Sequence, residues 1–218
     1  MRGVSFIALA GVGLILSSCS RGREITEPPG EATGPIQILL DLKDPSLSRG
    51  VLPRGEDRTM FKVGFGRHGV SCAGTRFKEG YTPLGTFKVN GILSDKHFEM
   101  EPELVAQSGK TEEELSKTLF RSMNSIDFSG DGESGEYGSG YVSLTPVDSV
   151  EQPFAFNTYD GKFRWYSFAI HGTNNDKRVG EKVTGGCLNV SEPMLQTLLA
   201  VMTLGQEVVI SANGPCTP

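Results

Sequence analysis

One histidine and one cysteine stand at the two ends of a glycine-rich loop near the C-terminus: Phe168-Ala-Ile-His171-Gly172-Thr173-Asn-Asn-Asp-Lys-Arg-Val-Gly180-Glu-Lys-Val-Thr184-Gly185-Gly186-Cys187-Leu-Asn189-Val. A free cysteine, with a pKa of about 8.5, is little ionised at neutral pH; an adjacent imidazole can take its proton and leave the stronger thiolate nucleophile. Fifteen residues separate the two. That is enough chain for the loop to return to its start, with Gly172, Gly180, Gly185 and Gly186 permitting turns and close backbone approach. The run Gly185-Gly186-Cys187 can also present main-chain N–H groups to a developing oxyanion. Taken alone, the pair is a weak signal, and a structural histidine beside an inert buried cysteine is the better reading of it.

The wider pattern is more specific. His171-Gly-Thr-Asn, then Gly180, then Thr184-Gly-Gly-Cys187-Leu-Asn189-Val resembles the signature of the L,D-transpeptidase (YkuD-type) catalytic domain family. Upstream, Thr82-Pro83-Leu84-Gly85-Thr86-Phe87 is similar to the family's Thr-Pro-X-Gly-X-Phe stretch, and the two motifs come in the family's order. The resemblance runs from about Ile36 to Ser211, with no nameable pattern between about Gly91 and Phe163. Many members carry a second histidine two residues before the cysteine, where this chain has Gly185.

The resemblance implies a mainly β fold, a β-sandwich of the L,D-transpeptidase catalytic type with one or two short packed helices. It makes Cys187 the nucleophile and His171 the general base and then acid, with the imidazole oriented by the Gly172 carbonyl. Gly185 and Gly186 would supply oxyanion or orienting backbone, and Thr173, Thr184 and Asn189 would line the substrate. The implied reaction takes a peptidoglycan tetrapeptide stem, expels its terminal D-residue, holds the rest as a thioester and passes it to an amine. No metal or organic cofactor is implied. Carbapenems, a β-lactam class, acylate the thiol of this family. If His171 shares a proton with Cys187 at rest, alkylation of the thiol should persist well below pH 8.5 or so. Two alternatives are an L,D-carboxypeptidase, with water as acceptor, and a non-catalytic cell-wall-binding lipoprotein of the same fold.

The N-terminus points to export. After Met1-Arg2 comes an apolar run from Val4 to Leu16, the length of a signal-peptide core and short of the ~20 residues a membrane span needs. Leu16-Ser17-Ser18-Cys19 resembles a bacterial lipobox, in which Cys19 is lipidated and becomes the first mature residue. Residues 1–18 are then a lipoprotein signal peptide, 19–35 a polar Pro- and Gly-containing tether and 36–218 the catalytic domain. The expected location is a membrane surface facing the periplasm or cell wall. In an oxidising compartment three cysteines remain, Cys72, Cys187 and Cys216; a Cys72–Cys216 disulfide would leave Cys187 free, and three buried thiols are the other possibility.

Composition agrees with one exported domain. The 218 residues carry a net charge of −5, which argues against nucleic acid or anionic lipid as a partner. Neither a Gly-X-Ser-X-Gly elbow nor a His-Glu-X-X-His pair occurs, so serine-hydrolase and zincin chemistry have no anchor. In NlpC/P60-type cysteine hydrolases the cysteine precedes the histidine, the reverse of the order here.

The elements that must hold the pair read as strands more than helices. Residues 36–40, 60–65, 86–89, 140–144, 163–170 and 207–211 are short, rich in β-branched and aromatic residues, and bounded by Gly, Pro or Asp. Residues 163–170 are apolar on both faces, as in a central strand, with His171 at the end. Ser191 begins a helix to about Thr203, and Thr111-Glu-Glu-Glu114 forms a capping box for another to about Met123. Residues 127–140, acidic and Gly-rich without EF-hand spacing, read as a loop beside the site. His68 and His97 read as solvated.

Overall fold

The structure is a computed structural model that describes residues 31–148 and 150–218; the expected signal segment, Cys19 and the first part of the expected tether lie outside the described residues. The chain enters through β1 (Ile36–Leu40), whose alternation turns Ile36, Ile38 and Leu40 inward. A hairpin of β2 (Arg49–Arg54) and β3 (Asp57–Lys62) follows, then β4 (Phe65–Gly66), β5 (Gly69–Ser71) and β6 (Tyr81–Pro83). The longest strand, β7 (Gly85–Ser94), leads into β8 (Phe98–Met100), α1 (Pro102–Gln107) and α2 (Glu112–Asn124). The second half contains β9 (Gly140–Pro146), the hairpin β10 (Ala155–Tyr159) and β11 (Lys162–Tyr166), and β12 (Phe168–His171). It closes with β13 (Lys182–Thr184), β14 (Leu188–Asn189), α3 (Glu192–Val201) and β15 (Glu207–Ala212).

A curled nine-stranded sheet runs β14-β12-β9-β7-β15-β1-β2-β3, with β8 added on β7. Its β1–β15 and β12–β14 pairs are parallel, and the other neighbours are antiparallel. Three two-stranded ribbons, β10–β11, β4–β13 and β5–β6, complete a mainly β fold. One core lies between the sheet and α3, where Leu195 and Leu198 meet Ile36, Val142 and Phe168. A second gathers α1, α2 and β11 around Leu115, Leu119, Tyr141 and Trp165. The two cores meet at the partly buried Cys187, which packs against both.

Two continuous strands expected from the sequence are each broken. Residues 163–170 split at Ser167, because β11 pairs with β10 outside the main sheet while β12 pairs with β9 and β14. The break is held by hydroxyls: Ser167 Oγ lies 2.9 Å from Ser143 Oγ and 3.1 Å from the Tyr141 hydroxyl. Residues 60–65 split at Val63-Gly64, where Gly64 exchanges both backbone hydrogen bonds with Asn189. Apolar patterning records burial and is blind to such changes of partner.

The helices differ in smaller ways. Thr111 and Glu114 form the expected reciprocal cap of α2. Ser191 is the N-cap residue of α3, but its side chain makes no capping bond, and the helix ends at Val201, before Thr203. The six-residue α1 is an element that the sequence reading left out. Cys72 and Cys216 are disulfide-bonded, with Cα atoms 5.0 Å apart, which ties the C-terminal tail beside β5. Cys187 is the free cysteine among the described residues.

Candidate active site

His171 and Cys187 meet because two strands run side by side. His171 is the last residue of β12, all four of whose residues are buried, and Cys187 immediately precedes β14. In their parallel register Ile170 stands beside Leu188 and His171 beside Asn189. Alternation then puts His171, Asn189 and Cys187 on one face, with the thiol one diagonal step from the imidazole. Both side chains line a cavity of about 810 Å³.

The imidazole is fixed from below. His171 Nδ1 lies 2.7 Å from the Gly172 carbonyl oxygen. A carbonyl only accepts, so Nδ1 carries the proton and Nε2 is the basic nitrogen. Gly172 is itself held, its N–H donating to the Tyr137 carbonyl at 2.9 Å. The Tyr137 ring meets the imidazole edge-on at 4.9 Å, and the Tyr141 ring stacks at 6.2 Å. Among the described residues no carboxylate touches the imidazole, so the main chain does the orienting.

The cysteine is positioned by threonines. Thr184 Oγ1 donates to the Cys187 carbonyl at 2.6 Å and accepts from the Gly186 N–H at 3.2 Å. Thr82, fully buried on β6, donates to the Gly186 carbonyl at 2.6 Å and accepts from the Gly66 N–H at 2.9 Å. The upstream Thr-Pro motif thus reaches the turn that carries the cysteine. Gly186 is required there: its φ is +129°, and a β-carbon would lie 2.8 Å from the Tyr81 carbonyl and 2.9 Å from the Phe77 ring. At Gly185 a β-carbon would fall 2.5 Å from Glu79 Oε1. The Glu79 carboxylate therefore fills the space a side chain at 185 would need.

Burial dominates the electrostatics of the pair. Burial pushes the Cys187 thiol up to about 12, with the nearby Glu79 charge adding to it, while the Ala169 backbone and the Tyr141 hydroxyl pull the other way. Burial also pushes His171 down to about 4, partly offset by the bond to Gly172. Both shifts favour a neutral thiol beside a neutral imidazole at rest, the opposite direction from the thiolate expected if the two share a proton. The physical reason is desolvation, which penalises both charged forms.

The other residues singled out in the sequence fall around this pair. Thr173 is buried in the cavity wall, its hydroxyl closing a turn with Asn175. Asn189 is 1% exposed, donates weakly from Nδ2 to the Arg178 carbonyl at 3.4 Å, and has no partner for Oδ1 among the described residues. The 127–137 loop forms one wall, tied down by carboxylates: Asp127 accepts from the N–H groups of Gly130 and Gly132, and Glu136 from those of Phe128 and Ser129. The opposite wall is the β10–β11 hairpin, bringing Tyr159, Arg164 and Tyr166 to the cavity. Sequence reasoning missed this hairpin, although Tyr159-Asp160-Gly161-Lys162 carries an Asp-Gly turn signal with φ +49° at Asp160 and +71° at Gly161. His68 sits away from the cavity against Tyr81, and His97 pairs with Glu99 at the surface.

A family model for the L,D-transpeptidase catalytic domain matches residues 36–210. Among solved structures the chain is similar to L,D-transpeptidase 3 from Mycobacterium tuberculosis in complex with a faropenem-derived adduct, at 12% identity and TM-score 0.41 over 81% of this chain and 60% of that one. It is also similar to the L,D-transpeptidase from Xylanimonas cellulosilytica DSM 15894, at 14% identity and TM-score 0.36 over 84% and 64%, respectively. A third is an L,D-transpeptidase from Mycobacterium smegmatis, at 12% identity and TM-score 0.37 over 80% and 58%. The chain spans less than two thirds of the length of these structures. No curated protein matches it.

Proposed function

The chain belongs to the L,D-transpeptidase catalytic domain family, and on that premise we propose that it is a peptidoglycan L,D-transpeptidase working through a Cys187 thioester. The observation that carries the reading is the placement of His171, at the end of β12, and Cys187, just before the adjacent β14, in the lining of one cavity, with Nδ1 bonded to Gly172 so that Nε2 is the basic nitrogen. As Cys187 Sγ attacks the carbonyl carbon of the bond before the terminal D-residue of a tetrapeptide stem, its proton passes to His171 Nε2. Collapse of the tetrahedral intermediate breaks the C–N bond, and the imidazolium gives its proton to the leaving amine. A thioester and a free D-amino acid result. An amine of a second stem then attacks the thioester, its proton goes to Nε2, and the departing sulfur takes that proton back. Because both groups are neutral at rest, proton transfer accompanies attack.

Anchoring belongs to the same reading. Cys19 carries lipid and residues 19–35 tether the domain to a membrane facing the cell wall; the chain should then partition into detergent and Cys19→Ala should not, and equal partitioning of both would remove this part. The catalytic part is tested by intact-mass measurement after incubation with a carbapenem. One adduct is expected on the wild type and none on Cys187→Ala, while an adduct surviving in Cys187→Ala would remove Cys187 as nucleophile. Muropeptide mass spectrometry then separates transfer to an amine from transfer to water.

A further inference from the structure

The cavity around Cys187 is lined by three arginines and two glutamates, and the charges do not cancel. Arg67 pairs with Glu79 at 3.3 Å, and Arg178 with Glu136 at 3.4 Å. Arg164 is left over. Among the described residues no carboxylate pairs with it, and its two terminal Nη groups have no hydrogen-bond acceptor. In a chain of net charge −5, the lining of this cavity carries one uncompensated positive charge, and Arg164 bears it.

That guanidinium is built into place. Its Cζ lies over three aromatic rings, at 4.6 Å from the centre of Tyr159, 5.0 Å from Tyr166 and 5.9 Å from Phe128. Its Nε donates at 2.9 Å to Asn157 Oδ1, directly across the hairpin. The rings favour the cation and restrict its rotamers, and the Nε bond sets the plane of the fork. These contacts come from both cavity walls, Phe128 from the loop and the rest from the hairpin. What remains open is the pair of Nη groups, the part of the side chain that grips a carboxylate with two parallel hydrogen bonds. Held in one orientation by these contacts, the half-buried guanidinium keeps those two donors free for a carboxylate entering the cavity.

We propose that Arg164 is a specificity-determining residue that binds a carboxylate of the donor peptide, orienting the scissile bond over Cys187. This rests on the reading of the cavity as a stem-peptide site. A tetrapeptide donor offers its C-terminal carboxylate and those of any acidic side chains, and the test separates them. The probes are synthetic tetrapeptide donors in which the carboxylates are converted one at a time to carboxamides. For each, kcat/KM is measured with wild type, Arg164→Gln and Arg164→Lys, folding being checked by circular dichroism. For one of the amides, wild type is expected to lose about 10- to 100-fold, the size of a charge-assisted hydrogen bond. Arg164→Gln should lose a similar factor on the all-acid donor and show no further loss on that amide. Arg164→Lys, which keeps the charge without the fork, should recover part of the discrimination. If Arg164→Gln discriminates the amides as wild type does, the assignment falls while the transpeptidase reading stands. If wild type turns over none of the donors, the reading falls and the assignment with it.

Discussion

Around one cavity, the floor carries His171 and Cys187 on or beside strands whose residues are almost wholly buried, whereas the walls carry Glu79, Arg67, Arg164 and Tyr159 on segments open to solvent. The floor is neutral at rest: burial holds the thiol protonated and the imidazole unprotonated. The walls are charged, and most of their charge is already paired. Burial thus sets the reactivity of the floor, and unpaired charge with aromatic surface sets what the walls can hold. On the proposed mechanism, a Cys187 that waits as a neutral thiol depends on His171 acting during attack, which makes the geometry of β12 and β14 decisive.

The largest effect should come from breaking the floor at the base. His171→Ala is expected to slow carbapenem acylation of Cys187 by about 10²–10⁴-fold at neutral pH, read as adduct formation by intact mass. Circular dichroism should show the fold retained, since the imidazole's close hydrogen bond is to the neighbouring residue. An acylation rate unchanged in His171→Ala would mean that the cysteine works without it.

A smaller effect should follow from loosening the same floor at one remove. Thr82→Val keeps the shape but strands the Gly66 N–H and the Gly186 carbonyl, both buried, which should cost about 1–3 kcal/mol in denaturant unfolding. Because Gly186 adjoins the nucleophile, acylation should also slow, by less than in His171→Ala. Loss of stability with no change in acylation would show that Thr82 supports the fold without aiming the cysteine.

The same contrast explains what was legible in the sequence. His171 and Cys187 could be singled out by local spacing and a signature, and they line one cavity; the Gly172 carbonyl followed from adjacency. The mainly β class, β1, β9, β15 and the cap of α2 were visible in local pattern. What escaped depends on partners distant in the chain. The break at Ser167 needs Tyr141 and Ser143, the space beside Gly185 is taken by Glu79, and the rings around Arg164 come from positions 128, 159 and 166. The resting charge state also escaped, because a His/Cys pair in sequence carries no measure of its burial.

That charge state gives the account its most direct test, the pH–rate profile of iodoacetamide labelling at Cys187. Since only the thiolate reacts and burial places the thiol at about 12, the rate should climb about tenfold per pH unit from about pH 7 to 10, without a neutral plateau. His171, held down at about 4, stays neutral over that range, so no second inflection should appear near pH 6.5 or so. A plateau already reached below about pH 8 in the wild type, and lost in His171→Ala, would reveal a preformed thiolate–imidazolium pair and contradict the neutral resting floor.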